Sequence, residues 1–519
     1  MTTTDVEPPL QVGWRERGYA ALAGIAAAAT ALGLGELVAA AVSARSAPLV
    51  AVGGVIVDKV PEGGKQLAID LFGTNDKLAL QVGTVVILCL FAAVLGWLSL
   101  RWIVVGLAGI GLFGLIGVIS AVTRTGADPF WALPSIIGTI GAAVVLWLLI
   151  GFLHRTGLVH GSQLGREVAR RRFLQAAGMA IGGGAALGVV GHLLGQQSNV
   201  NEARDAVKAE LPTPSAPVSP IPEADAAGLA YVTPSADFYR IDTALVVPRV
   251  DPKEWSLSIT GRVRNPMLLT FDDLLKRPMV ERYITLTCVS NEIGGDLIGN
   301  ARWLGVPIAD LLAEADPEPG ADQVVSYSVD GFTAGTPTAA LRDGRDALLA
   351  VAMNGEPLPV DHGFPVRMVV PGLYGYVSAT KWLAKLQLTT FADFDAYWIP
   401  RGWAQQAPIK TGSRIDRPRA GSSTPAGEVV VAGVAWAQHR GISKVEVRVD
   451  GGPWQTATLA AVASIDTWRL WSWRWSATKG DHTLEVRATD NAGEVQTDQQ
   501  APPIPDGATG YHQIRVKIT

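Results

Sequence analysis

Of the two cysteines in this 519-residue chain, only Cys288 lies outside an apolar run. It closes the stretch ITLTC, where Tyr283, Thr285 and Thr287 alternate as along a strand, and Ser290, Asn291 and a Gly-Gly turn follow it. A cysteine at a strand-to-loop junction can present its thiolate to a pocket, either as a soft metal ligand or as a nucleophile. The plain alternative is a buried structural thiol. The other cysteine, Cys89, sits inside an apolar segment, so a disulfide between the two is discounted.

A second stretch, DHGFPVRMVVPGLYGYVSATKW from Asp361 to Trp382, places His362, Arg367 and Lys381 within twenty-two residues. Anions need fixed cations, and arginine suits bidentate contact with phosphate. In the loop after Pro371, Gly372, Gly375 and Ser378 would let backbone N–H groups approach such an anion. His362 can donate to a ring or a phosphate.

Taken in order along the chain, FYR, TLTC, ARW, MNGEPLPVDHGFPVRMVVPG and KWL resemble the molybdopterin-dependent oxidoreductases of the sulfite oxidase family, from about Phe238 to Thr519. The resemblance implies a molybdenum–molybdopterin cofactor with Cys288 as the protein's thiolate on the metal. It implies catalytic roles for Cys288 and Arg240, the latter near the metal-oxo face. Tyr239, Arg240, Asn291, His362, Arg367, Gly375, Ser378, Thr380 and Lys381 fall at positions lining the cofactor. It further implies two-electron oxygen-atom transfer on a small molecule, and a homodimer formed through the C-terminal domain.

The departures concern substrate. Sulfite-oxidising members follow the metal cysteine with Ala-Gly-Asn-Arg-Arg; here it is followed by Val289, Ser290, Asn291, Glu292 and Ile293. Those members also carry a tyrosine near the metal, where this chain aligns Trp403, with Tyr397 nearby. A charged hydrogen bond is worth roughly 1.5–3 kcal/mol, so losing arginines should weaken a small dianion tenfold or more. A small S- or N-oxide is the expected substrate. The alternatives are a true sulfite oxidase and a non-catalytic membrane-anchored scaffold; the intact Cys288, Arg240, His362, Arg367 and Lys381 argue against the scaffold. Arg401, Arg469 and Arg474 are candidate replacements for the missing cations.

The elements that must position these residues divide the chain. A mean hydropathy of +0.25 averages two unlike parts. Five runs can each span a bilayer, which takes roughly 20 apolar residues: Tyr19–Val42, Leu78–Leu100, Trp102–Thr123, Phe130–Leu153 and Phe173–Gly195. Ala47–Val57 is too short and reads as re-entrant or interfacial. Glu36, inside the first run, is a functional candidate. Arg15, Arg17, Arg101, Arg155, Arg166 and Arg170 to Arg172 all fall on one side if the N-terminus is cytoplasmic. Everything after Gln196 is then outside the cytoplasm, anchored in the cell membrane. Arg170 and Arg171, with Arg172, Phe173 and Leu174, look like an internal twin-arginine export signal.

The expected organisation is an all-α membrane domain of four spans at 1–172, a fifth span at 173–195 and a Pro/Ala/Ser-rich linker at 196–236. An α+β molybdopterin domain follows at 237–420, and an all-β immunoglobulin-like sandwich at 421–519. In the catalytic part, strands are expected at WSLSITGRV, up to Cys288 and at VVSYSVDGF, with helices from Thr270 and from about Val306. The net charge of −4, with no basic stripe of interleaved aromatics, excludes a nucleic-acid partner. No CxxCH occurs. Only His192 lies within a span, with His154 just past another, whereas a membrane haem needs facing pairs. No haem is expected, and the electron partner is a quinone or a redox protein.

Overall fold

A computed structural model describes residues 13–60, 64, 76–124, 126–156, 163–196, 200–221 and 226–519. The chain forms two compact units, one of Met1–Ser198 with Ala244–Val246, the other of Asn199–Thr243 with Val247–Thr519.

The first unit consists of helices α1 (Trp14–Val42), α2 (Pro48–Lys59), α3 (Asp76–Ser99), α4 (Ile103–Val122), α5 (Leu133–Arg155) and α6 (Gln163–Gln196). Glycines let the backbones touch. A Cβ on Gly24 would meet Ala92 O at 1.8 Å, and one on Gly33 would meet Gly184 O at 2.1 Å. These contacts run α1 parallel to α6, since Gly33 meets Gly184 and Glu36 meets Gly191, and antiparallel to α5, since Ala31 meets Gly138 and Gly35 meets Pro134. Hydroxyls inside the bundle return to their own helix: Thr30, Thr84, Ser99 and Thr139 each donate to the carbonyl four residues earlier.

Five helices are long and apolar enough to cross a membrane, and they overlap the five expected runs. Their outward faces are apolar, with Val104, Leu112, Ile140 and Val189 all more than half exposed, as lipid-facing surfaces require. The run at Ala47–Val57 becomes α2, 12 residues and too short to span. The fifth helix does not begin at Phe173: α6 starts ten residues earlier and carries Arg170, Arg171 and Arg172, exposed, inside it. Arg166 and Gln196 lie outside the residues whose side chains are described.

In the second unit, the stretch expected to be a linker packs instead. Helix α7 (Val200–Glu210) buries Val200 and Val207 in the core, and Arg204 donates to Pro357 O and Leu358 O at 2.8 and 3.0 Å. Ala216 then pairs with Val280 as an extra strand residue. Proline-rich composition gave extended backbone here, but the extended backbone found a sheet edge.

Two sheets build the catalytic domain. In one, β3 (Val280–Thr287) pairs with β4 (Ile298–Pro307), which pairs with β7 (Leu348–Met353), flanked by β8 (Glu356–Pro357) and β9 (Arg367–Val369). In the other the order is β2 (Met267–Thr270), β1 (Ser256–Gly261), β10 (Leu383–Thr389), β5 (Gln323–Ser328), β6 (Thr333–Pro337), with β1 and β10 parallel. Helices α8 (Phe271–Leu275), capped by Thr270 and Asp273, and α9 (Ile308–Ala315) cover them. The architecture is α+β. Every residue of β7 and the last five of β3 are buried, so β3 loses its expected alternation: both of its faces are covered just before Cys288.

The C-terminal part is a two-sheet sandwich. One sheet has the order β11 (Gly412–Arg417), β13 (Gly427–Trp436), β17 (Arg469–Ala477), β16 (Thr458–Leu459). The other has β12 (Ser423–Thr424), β19 (His512–Ile518), β18 (Gly480–Asp490), β14 (Ile442–Val449), β15 (Gln455–Thr456). Its core centres on Trp471, Val445, Val486 and Ile514. Val434, Trp436, Trp468 and Leu470 belong instead to the catalytic core.

The seam is hydrogen-bonded through Thr285 of β3. Its N–H donates to Asp466 O at 3.0 Å, and its hydroxyl accepts from Trp468 N at 2.8 Å and lies 3.1 Å from Asn300 Oδ1. Thr285→Val keeps the shape and strands two buried polar partners. A cost of about 1–3 kcal/mol is expected, read as a lowered denaturant midpoint with an unchanged slope; an unshifted midpoint would show that the seam does not depend on this hydroxyl.

Candidate active site

Strand β3 delivers Cys288 one residue beyond its last ladder partner, Thr287 opposite Ile298. The following loop is closed on itself. Cys288 N–H donates to Leu297 O at 2.9 Å, Asn291 N–H to Cys288 O at 3.1 Å, and Leu297 N–H to Asn291 Oδ1 at 2.9 Å. Asn291 thus shapes the cysteine turn. The sulfur is buried, which pushes its thiol up, while the amides of Val289 and Ser290 and the Ser290 hydroxyl point donors at it and favour the thiolate. A soft cation would take such a thiolate.

Aromatic rings floor the neighbouring space. Phe238 stacks on Tyr239 at 5.2 Å between centroids and meets Trp303 and His362 edge-on at 5.8 and 5.6 Å. Burial, reinforced by the Cys288 thiolate charge, keeps the Tyr239 hydroxyl protonated despite the opposing pull of Arg367. A Cβ added at Gly375 would lie 3.9 Å from that hydroxyl and 3.8 Å from Thr287 O. The loop of Gly375 therefore lies against the strand that carries Cys288.

Arg367 opens β9. It is buried, lies 5.2 Å from the Trp303 ring, and donates only to carbonyls: His362 O at 3.2 Å, Ala379 O at 3.3 Å and Met368 O at 3.4 Å. No carboxylate is within ion-pair distance of it among the described residues, and burial pulls it down to about 10. Lys381 is also buried, but donates to Asp242 Oδ2 at 2.8 Å and Asp361 O at 2.9 Å. Burial outweighs Asp242 and pulls it down to about 8. Arg240 shares Asp242 at 3.1 Å and reaches Asp361 at the same distance. Gly363 makes the approach possible: at φ +108°, a Cβ there would come within 3.0 Å of Lys381 Cβ and 3.1 Å of Arg367 Cβ. His362, buried and flanked by both cations, is pulled down to about 4, chiefly by burial.

The structure thus groups Tyr239, Cys288, His362, Arg367, Gly375 and Lys381, with Arg240 at the exposed edge. The hydroxyls of two further expected positions bond within the fold: Ser378 donates to Leu373 O and Tyr374 O, and Thr380 pairs with Ser326 Oγ at 2.7 Å, so both side chains brace the loop. Glu292 is exposed and Ile293 packs towards Gly510 of the sandwich, so neither replaces an arginine beside the sulfur. Arg469 bonds Ala460 O and Ile442 O, and Arg474 pairs with Glu428. Arg401 lies over the Tyr397 ring at 3.8 Å, and Trp403 joins Tyr376 and Trp398 with its ring N–H buried and unpaired.

Sequence reading missed Tyr374, Asp242 and Asp361. Tyr374 is buried, feels the Cys288 charge and is pushed up to about 12, mainly by burial. Asp242, two residues after Arg240, could have been read as its partner; nothing in the sequence singles out Tyr374 from its loop.

Two family models match: an oxidoreductase molybdopterin-binding domain at 244–398 and a bacterial Ig domain at 413–486. Mitochondrial sulfite oxidase of Homo sapiens is 32% identical over 323 residues, covering 52% of this chain and 58% of that one. Sulfite oxidase of Gallus gallus is 30% identical over 339 residues, covering 55% of this chain and 72% of that one. The chain belongs to the sulfite oxidase family. Its members are molybdenum-dependent oxidoreductases that carry molybdopterin, and this chain spans little more than half the length of the mammalian ones it matches. The sulfane dehydrogenase SoxCD of Paracoccus pantotrophus shares the fold, with a TM-score of 0.50 at 24% identity over 58% of this chain and 86% of that one.

The residues present fit the family's cofactor. A buried thiol ringed by donors suits a soft metal, and a buried guanidinium with only carbonyls for company lacks the anion that a phosphate supplies.

The depressed His362 gives a signed pH effect. Its folded value, about 4, lies below the ordinary 6.5. Its contribution is therefore complete above pH 6.5 and is lost as pH falls through 4, on the order of 3 kcal/mol in all. His362→Gln should remove this part of the slope. The check is the denaturant midpoint of both proteins between pH 7 and 4; a gap between the curves that stays constant with pH would rule the effect out.

Proposed function

We propose that the chain is a membrane-anchored, extracytoplasmic oxidoreductase that takes an oxygen atom from a small S- or N-oxide. The bound molybdenum would supply the two-electron redox change. The protein would supply the rest: Cys288 binds the metal, Arg367 neutralises the cofactor's phosphate, and the walls of Phe238, Tyr239 and Trp303 keep water out. Tyr239, held protonated, is a hydrogen-bond donor in that space. Arg240 and Lys381, steadied by Asp242 and Asp361, form the cationic edge.

The observation that carries the substrate assignment is the state of the cations. Arg240 has two aspartates within 3.1 Å, and Arg469 and Arg474 are bound elsewhere. Arg367, the buried guanidinium without an acid, is assigned to the cofactor's phosphate. A small dianion would find its charge poorly matched at an effective dielectric of about 20. A neutral oxide avoids that cost. The names of the relatives favour sulfite oxidation as the second reading.

The positive residues at the helix ends support a cytoplasmic N-terminus, and the exposed arginines of α6 support recognition by the twin-arginine export route, which moves folded, cofactor-loaded domains.

Purified wild type is expected to hold about one molybdenum per chain and to reduce sulfoxides or N-oxides with a reduced dye, at least tenfold more efficiently than it oxidises sulfite. Cys288→Ser should lose turnover while its unfolding midpoint stays close to wild type. Efficient sulfite turnover with no oxide reduction would establish the second reading, and active protein lacking molybdenum would sink both. For export, Arg170→Lys with Arg171→Lys keeps the charge and removes the guanidinium pair. Protease accessibility should then show the catalytic unit retained in the cytoplasm; unchanged exposure would make these arginines ordinary topogenic charge.

A further inference from the structure

The membrane unit contains an apolar cavity of about 200 Å³ between α1, α2, α3, α4 and α5, with Ala28, Leu32, Ala92, Phe113, Gly117 and Ser135 in its wall. One polar group in the lining is unsatisfied. Ser135 is 4% exposed, and its hydroxyl has no hydrogen-bond partner. Thr84 and Thr139 also reach the cavity, but their hydroxyls are satisfied by Leu80 O and Ser135 O. A buried, unpaired hydroxyl in an apolar cavity is a place for a ligand oxygen.

Beyond one end of the cavity, outside its lining, lies a polar pair. Gly35 packs against Pro48 and the carbonyl of Pro134, which brings the last turns of α1 to the start of α5, beside Ser135. Glu36 follows, one turn beyond the cavity-lining Leu32 and on the same side of α1. Its carboxylate lies 3.7 Å from His192 Nδ1 on α6. A carboxylate–imidazole pair in a bilayer is costly unless used, and such groups mark proton relays. As α1 and α6 run parallel and α5 antiparallel, Ser135, Glu36 and His192 share the end of the bundle at which α6 finishes.

We propose that this cavity binds the ring of a lipid-soluble quinol, with Ser135 hydrogen-bonded to one ring oxygen and the Glu36–His192 pair receiving the released protons. The inference rests on the oxide-reductase reading, which needs a two-electron donor. The quinol becomes quinone, giving up two electrons and two protons. The oxide takes two electrons and two protons and leaves as the reduced compound and water. An engineered apolar cavity of about 150 Å³ admits benzene, so the larger space here takes a substituted ring, its tail passing between helices into lipid. An acyl chain would leave Ser135 unpaired and has no protons to give the acid–base pair.

The test uses the cofactor-loaded full chain in lipid nanodiscs. Short-tailed benzoquinone and naphthoquinone are titrated for binding, and oxide reduction is driven either by the matching quinols or by a reduced viologen dye. Saturable binding of one quinone per chain is expected. Ser135→Ala should weaken it roughly two- to tenfold, and Ala28→Phe, which fills the cavity, should abolish it. Glu36→Gln should still bind and slow quinol-driven turnover at least tenfold. Dye-driven turnover, unchanged in all three, reports that each variant is folded. Binding indifferent to both Ser135→Ala and Ala28→Phe, or a resident lipid that quinone does not displace, overturns the site. If quinone binds in the expected pattern while the wild type reduces no oxide even with dye, the catalytic reading falls and the site stands. If dye-driven reduction is intact without saturable quinone binding, the site alone falls.

Discussion

The catalytic unit is arranged around a charge it does not itself neutralise. Arg367 is buried beneath the surface with only backbone carbonyls and the Trp303 ring as company. Burying an unpaired ion costs several kcal/mol even after relaxation, a cost that an anion bound beside Arg367 would offset. Everything near it follows from that. Gly363 lacks a side chain because Lys381 and Arg367 must both pass close by. Lys381 is tied to Asp242, so that the second cation adds geometry more than free charge. His362 stays neutral chiefly because it is buried, and the two neighbouring cations add to the effect.

The thiol end obeys a different logic. Cys288 sits where β3 stops pairing, and the turn after it is locked by three hydrogen bonds through Leu297 and Asn291. β3 is covered on both faces and pinned by Thr285 to the sandwich. The sandwich is thus part of the scaffold that positions Cys288: residues on β13 and β17 complete the catalytic core.

The helical unit trades side chains for contact. Its helices touch at glycines, where a methyl would clash with a facing carbonyl, and small residues at crossings are how helices associate when lipid gives no hydrophobic drive. The same small residues leave a void where five helices diverge, and the polar groups facing or flanking it lie at one end.

Composition and periodicity alone determined much of this protein. Five apolar runs became five long helices, because a bilayer-length stretch with almost no charge has few other folds open to it. Alternating strands marked the sandwich, and the order of short motifs from Phe238 onward pointed to the family and to Cys288, Arg367 and Lys381. Tertiary structure decided the partners. Ser378 and Thr380 carry ligand-like side chains, yet each found a nearer acceptor or hydroxyl within the fold. Glu292 and Ile293 follow the cysteine in sequence, yet Glu292 is exposed and Ile293 packs towards Gly510. The proline-rich stretch before the catalytic domain read as a tether, and it packed because α7 had a hydrophobic face and Arg204 had two carbonyls within reach. Which residues are chemically able to act is a local property of the chain; which of them are still free to act depends on neighbours hundreds of residues away, and only the packed fold brings those neighbours in.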